Sequence, residues 1–141
     1  MVRGKLFRPP NAGEDNPAPG VVYLHGYQNN RGTSDPYGIE LALRGFVAIT
    51  LDTLGSGNSQ NQFSEDKSGF DPTYGADMAF EYLQSLPYVD ADRCGLGGHS
   101  LGAEMSYLYE ATGKIYPGAI LNALIVTWMF TSSSVIAPLP I

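Results

Sequence analysis

The stretch from Arg93 to Ala103, reading RCGLGGHSLGA, constrains the fold more than any other part of the chain. Arg93 to Gly97 reads as a short buried strand, and Leu101 to Thr112 as a helix closed by Gly113. The chain must therefore turn from strand to helix within Gly98-His99-Ser100. A serine on so sharp a turn takes a strained backbone, and the glycines two residues to either side lack the Cβ that would clash. Gly98-His99-Ser100-Leu101-Gly102 is the G-x-S-x-G pattern that suits this turn.

The other segments alternate between strand-like and helix-like patterns, as expected for a mostly parallel sheet with helices on both faces. Val2 to Phe7 reads as the first strand, Val21 to Leu24 as the second and Phe46 to Leu51 as the third. Asp35 and Pro36 offer an N-cap and a first helical position, and the helix they start runs to Arg44, where Gly45 ends it. Asp71 and Pro72 repeat that start signal. Tyr74, Met78, Ala79, Tyr82, Leu83 and Leu86 then recur on one helical face until Pro87. Ala119 to Val126 reads as a last buried strand. Residues 53–70 form the one long loop, rich in Ser, Asn, Gln and Gly; loops beyond about 12–15 residues are often functional.

Composition narrows the function classes. The 141 residues, 43% hydrophobic, suffice for one domain with a real core. A net charge of -6 argues against a nucleic-acid partner, which needs a basic patch. The single cysteine, Cys94, permits no internal disulfide and reads as a buried apolar filler. No ligand cluster implies a metal or an organic cofactor. GAILNALIVTWMF is apolar but shorter than the ~20 residues of a membrane-spanning helix, and Asn122 interrupts it. No apolar leader follows Met1, so a cytoplasmic location is the default expectation.

The chemistry gathers at one sheet edge. Ser100 on its turn is the candidate nucleophile, and the Leu101 N–H at the helix start points to the space where an oxyanion would form. His25-Gly26 follows the strand VVYL, and in a parallel sheet its loop emerges beside the Ser100 turn. That loop can supply a second oxyanion donor, with the Tyr27 N–H the first candidate and Gln28 the second. His25 reads as a structural, hydrogen-bonded residue rather than a base. Asp52, leading TLGSGNS, opens on the same edge and reads as a carboxylate that organises its own loop through backbone N–H groups. A dinucleotide site is disfavoured. Gly95-Leu96-Gly97-Gly98-His99-Ser100 nearly matches G-x-G-x-x-G, but serine replaces the third glycine and no acidic residue follows at the required distance.

PGVVYLHGY, GFVAITLDTLGSGNS and DADRCGLGGHSLGA together resemble the α/β-hydrolase superfamily. The entry GKLFRPP before VVYLHG is most similar to its dienelactone hydrolase and prolyl-oligopeptidase-like branch. The resemblance runs from about Gly4 to about Val126 and implies an α/β-hydrolase fold through about its sixth strand. It also implies Ser100 as nucleophile and the Tyr27 and Leu101 amides as oxyanion hole, acting on a small acyl or ester substrate. Such proteins carry the triad acid and histidine later in the chain than the serine. Here the only histidines are His25 and His99, and the only acids after Ser100 are Glu104 and Glu110. The expectation is a partial hydrolase domain, inactive alone, that self-associates through the apolar edge of 119–126. A non-catalytic, hydrolase-like binding module is the alternative.

Overall fold

Val47–Asp52 is buried at every residue, which a strand achieves only when both faces are covered and both edges are paired. The computed structural model describes residues 1–61, 71, 73–111 and 124–125. In chain order these form β1 (Arg3–Phe7), β2 (Ala18–Leu24), α1 (Arg31–Leu43), β3 (Val47–Asp52), α2 (Ala76–Gln84), β4 (Val89–His99), α3 (Leu101–Ala111) and β5 (Leu124–Ile125). The sheet order is β1-β3-β2-β4-β5. β1 runs antiparallel to β3, and the pairs β2/β3, β2/β4 and β4/β5 are parallel. The protein has the α/β-hydrolase fold expected from its sequence, with a mostly parallel sheet. Only Leu124–Ile125 of the last expected strand are described; the remainder of 119–126 lies outside the described residues.

The period-two alternation of β3 sorts the layers. Thr50 and Asp52 face α1: the Thr50 hydroxyl donates to Asp35 at 2.6 Å, and the Arg31 amide donates to Asp52 at 2.8 Å. Tyr23 of β2 lies on the same side, its ring stacked on Tyr37 of α1 at 4.6 Å. Ile49 and Leu51 face the other way, into the main core with Val22, Leu24, Phe80, Leu83, Leu96 and Met105. Helices therefore cover both faces, α1 on one and α2 with α3 on the other.

Two helix starts differ from expectation. α1 begins at Arg31, earlier than Asp35-Pro36, because Asn30 caps it by accepting the Gly32 N–H at 2.9 Å. Asp35 is engaged with Thr50 and Lys5 instead, and Pro36 sits inside the helix, where its ring forfeits one backbone hydrogen bond. Its end is as expected, with Gly45 at φ 91° just past the cap. α2 begins at Ala76, because Asp71 spends its carboxylate on a preceding turn, accepting N–H groups from Thr73 at 2.7 Å and Gly75 at 2.6 Å.

The buried stripe of α2 also differs. It is Ala76, Ala79, Phe80 and Leu83, while Met78 and Tyr82 are 46% and 55% exposed. The two alanines let the helix approach the sheet closely, and Leu83 packs on the side-chain-free face of Gly20. β4 is longer than expected because it starts at Val89. Its register with β2 jumps from Ala18↔Val89 to Gly20↔Cys94, so the polar residues between them bulge toward solvent.

Cys94 is fully buried, and its thiol donates to the Asp90 carbonyl at 3.3 Å. Burial pushes this thiol from 9.0 up to about 11, so it stays neutral at ordinary pH. A folded value above the unfolded one means that its stabilisation is complete below the unfolded value and is lost as pH rises through about 11. Iodoacetamide at pH 8 should leave Cys94 unmodified in the native protein and label it rapidly in urea. Equal labelling rates in the two states, followed by mass spectrometry, would contradict the buried neutral thiol.

Candidate active site

Ser100 is the single residue between β4 and α3, and its φ of 54° is left-handed. Such a backbone costs a non-glycine residue about 1–3 kcal/mol, so the surroundings must hold it. They do so by contact. A Cβ on Gly98 would lie 2.4 Å from the Gly102 carbonyl carbon, and one on Gly102 would lie 2.4 Å from the Leu24 carbonyl oxygen. Neither position admits a side chain, so the strand, the turn and the first turn of α3 lock together against the end of β2. The Ser100 carbonyl accepts the Ala103 and Glu104 amides at 2.9 and 3.2 Å and so opens α3. Among the described residues nothing accepts a hydrogen bond from the Leu101 amide and nothing bonds the Ser100 hydroxyl.

The loop after β2 stands beside this turn. A Cβ on Gly26 would come within 3.1 Å of His99 Nδ1 and 3.4 Å of Ser100 Cβ. Tyr27 follows directly, 68% exposed, and among the described residues its amide likewise has no acceptor. Gln28 adopts φ 58°, and the Asn29 amide closes a turn onto the Gly26 carbonyl at 3.3 Å.

His25 and Asp52 are buried beneath these loops, 3% and 1% exposed. His25 Nδ1–H donates to the Gly26 carbonyl at 2.8 Å, which leaves Nε2 to accept the Thr53 amide at 3.2 Å and the Thr53 hydroxyl at 3.1 Å. Both ring nitrogens are thus committed away from Ser100. His99 is exposed at the edge of the turn, and among the described residues its ring bonds no group. Asp52 accepts the Arg31 amide at 2.8 Å and the Asn58 amide at 3.0 Å, with the Arg31 guanidinium 3.6 Å away. It organises its own loop, as its sequence position suggests, and also the start of α1. No group of three or more His, Cys, Asp or Glu among the described residues is arranged to hold a metal ion. No described helix is long and apolar enough to cross a membrane.

At the carboxyl edge of this mostly parallel sheet, a left-handed serine at a strand-to-helix turn thus stands beside two amides, of Tyr27 and Leu101, that have no acceptor among the described residues. A sequence profile described as the prolyl oligopeptidase family matches residues 37–139. The chain belongs to the prolyl oligopeptidase family. This match falls within the branch that the sequence resembles. No curated protein matches the chain at a significant level. Solved structures share its fold. A hypothetical protein from Pseudomonas aeruginosa is 25% identical with a TM-score of 0.64, over 74% of this chain and 33% of that one. A putative dipeptidyl aminopeptidase IV from Bacteroides ovatus is 25% identical with a TM-score of 0.63, over 82% of this chain and 18% of that one. An acetyl xylan esterase from Paenibacillus sp. is 24% identical with a TM-score of 0.59, over 74% and 38%. The chain spans well under half the length of each of these structures.

Within this prolyl oligopeptidase family chain, the sequence pattern brought out Ser100, His25, Gly26 and Asp52 but passed over Arg31 and Thr53. Arg31 sits in an Asn-Asn-Arg-Gly run that reads as a surface turn. The available signal was Asn30, a good N-cap one residue ahead of it. Thr53 carried no signal, because its partner lies 28 residues away.

Asp52→Ala should lower stability by about 1.5–3 kcal/mol, the usual worth of hydrogen bonds to a charged group. Urea denaturation checks it. An unchanged midpoint would mean that water replaces the carboxylate without loss.

Proposed function

We propose that this hydrolase cleaves carboxylic esters of small molecules by acyl transfer, with Ser100 as nucleophile and the Tyr27 and Leu101 amides as oxyanion donors. The observation that carries this reading is the left-handed Ser100, held on its turn with Gly26 directly alongside. In the acylation step Ser100 Oγ bonds to the acyl carbon and its proton passes to a general base. The carbonyl π pair moves onto oxygen, where the two amides stabilise it. Collapse of that tetrahedral species breaks the bond to the leaving alkoxide, which takes the proton back from the base. Water then attacks the acyl-serine by the same route and frees the acid. Esters are the default substrate because they need the least activation of the leaving group. The solved structure named as an acetyl xylan esterase is consistent with that choice.

The base is not His25, whose nitrogens are both engaged, and His99 makes no bond to the Ser100 hydroxyl. We therefore place the base and its orienting acid outside these 141 residues, in a longer protein. The isolated chain would keep only the oxyanion and binding contribution, roughly 10³–10⁴ over water.

The test uses the full-length protein, a fluorophosphonate probe and p-nitrophenyl esters. Ser100 should be the labelled residue, and Ser100→Ala should remove labelling and cut turnover by roughly 10⁶. Labelling that persists in Ser100→Ala would assign the nucleophile elsewhere. A wild-type protein that neither labels nor turns over would favour the hydrolase-like binding module.

A further inference from the structure

The segment that carries the Tyr27 amide has almost no packing of its own. Tyr27, Gln28, Asn29 and Asn30 are all exposed, and Gln28 is held at φ 58°. An amide that stabilises developing charge must nevertheless stay fixed, since preorganisation is what gives it its effect. Rigidity has to enter this segment from its ends.

Both ends are gripped by consecutive residues at the end of β3. At the near end, His25 is tied to Thr53 through the amide and hydroxyl at 3.2 and 3.1 Å, and passes that hold to the Gly26 carbonyl through Nδ1–H at 2.8 Å. At the far end, the Arg31 amide is tied to Asp52 at 2.8 Å. Asp52 and His25 are both buried, so water does not compete with either bond. The Asp52 carboxylate also holds Asn58, and the Thr53 hydroxyl also reaches Ser56 Oγ at 3.3 Å, which fixes the clamp itself to the following loop.

We propose that Asp52 and Thr53 form a clamp that positions the oxyanion loop, acting on it through Arg31 and His25. None of the four touches substrate; they are positioning residues. The proposal rests on the reading of Ser100 and the Tyr27 amide given above. Releasing the near end lets Gly26 and Tyr27 move relative to Ser100. The cost falls on the transition state, where the oxyanion exists, and not on the ground-state complex.

The experiment measures kcat and KM for a p-nitrophenyl ester, with the melting temperature, for the full-length wild type, Thr53→Val, His25→Leu, His25→Gln and Ser100→Ala. Loss of one oxyanion donor costs about 10²–10³ in kcat, so His25→Leu should approach a hundredfold fall with KM within about twofold. Thr53→Val keeps the amide bond and loses the hydroxyl, so its kcat should fall less, by about three- to tenfold, the worth of roughly one neutral hydrogen bond. His25→Gln can present an acceptor toward Thr53 and should recover most of the His25→Leu loss. A folded Thr53→Val with wild-type kcat overturns the clamp, as does a glutamine variant no better than leucine or a loss that appears in KM alone. If His25→Leu fails to fold, Thr53→Val decides. Ser100→Ala separates the two claims: full activity there removes the nucleophile reading itself, whatever the clamp variants do.

Discussion

Where α3 leaves β4, its first turn is pressed against the carbonyl groups that end β2. Gly102 sits so close to the Leu24 and His25 oxygens that no side chain fits. That contact fixes how α3 crosses the sheet, and through Gly98 it fixes the direction of β4 as well. Ser100 has no freedom left. Its left-handed backbone is the conformation that connects a strand and a helix already placed by packing, and the rest of the edge is arranged around it. The same crowding brings Gly26 against the turn, so the Ser100 turn and its neighbouring loop are consequences of one steric fit.

The two faces of the sheet are unequal. The α2 and α3 side holds the apolar core, from Val22 and Leu24 through Phe80 and Leu83 to Met105. The α1 side uses polar groups within the same layer: Thr50 to Asp35, Asp52 to Arg31, and the stacked Tyr23 and Tyr37. Burial and the neighbouring Tyr37 push the Tyr23 hydroxyl up to about 12, so that layer is neutral at this ring. Apolar burial stabilises the domain, whereas directional bonds on the α1 side set the positions of the loops above it. The division has a physical basis. Apolar contact tolerates small displacements, while a hydrogen bond with one acceptor and a preferred angle does not.

The sequence made the alternation of strands and helices and the serine turn readable because both are local patterns. A glycine on either side of a serine, with strand and helix signals outside them, has few ways to fold. The start of α1 was misread for a related reason: Asp-Pro is a sound start signal, but Asn30 met the same need earlier and Asp35 had a partner in β3. On α2 two apolar stripes competed, and periodicity alone could not rank Met78 and Tyr82 below Phe80. The sheet chose the stripe whose alanines permit close approach. The loop network was out of reach. Asp52 and Arg31 lie 21 residues apart and His25 and Thr53 lie 28 apart, distances at which sequence carries no period to read.

The end of β3 also limits how this chain can change in length. Because side chains alternate, Thr50 and Asp52 share the α1 face while Ile49 and Leu51 share the other. Losing or gaining one residue within β3 would turn the Asp52 carboxylate into the apolar layer beside Phe80 and Leu83, and would present a core side chain to the Arg31 amide. Two residues restore the parity. The strand can therefore be lengthened or shortened only in even steps, and the loops beyond it, rather than the strand itself, are where this chain has room for insertions.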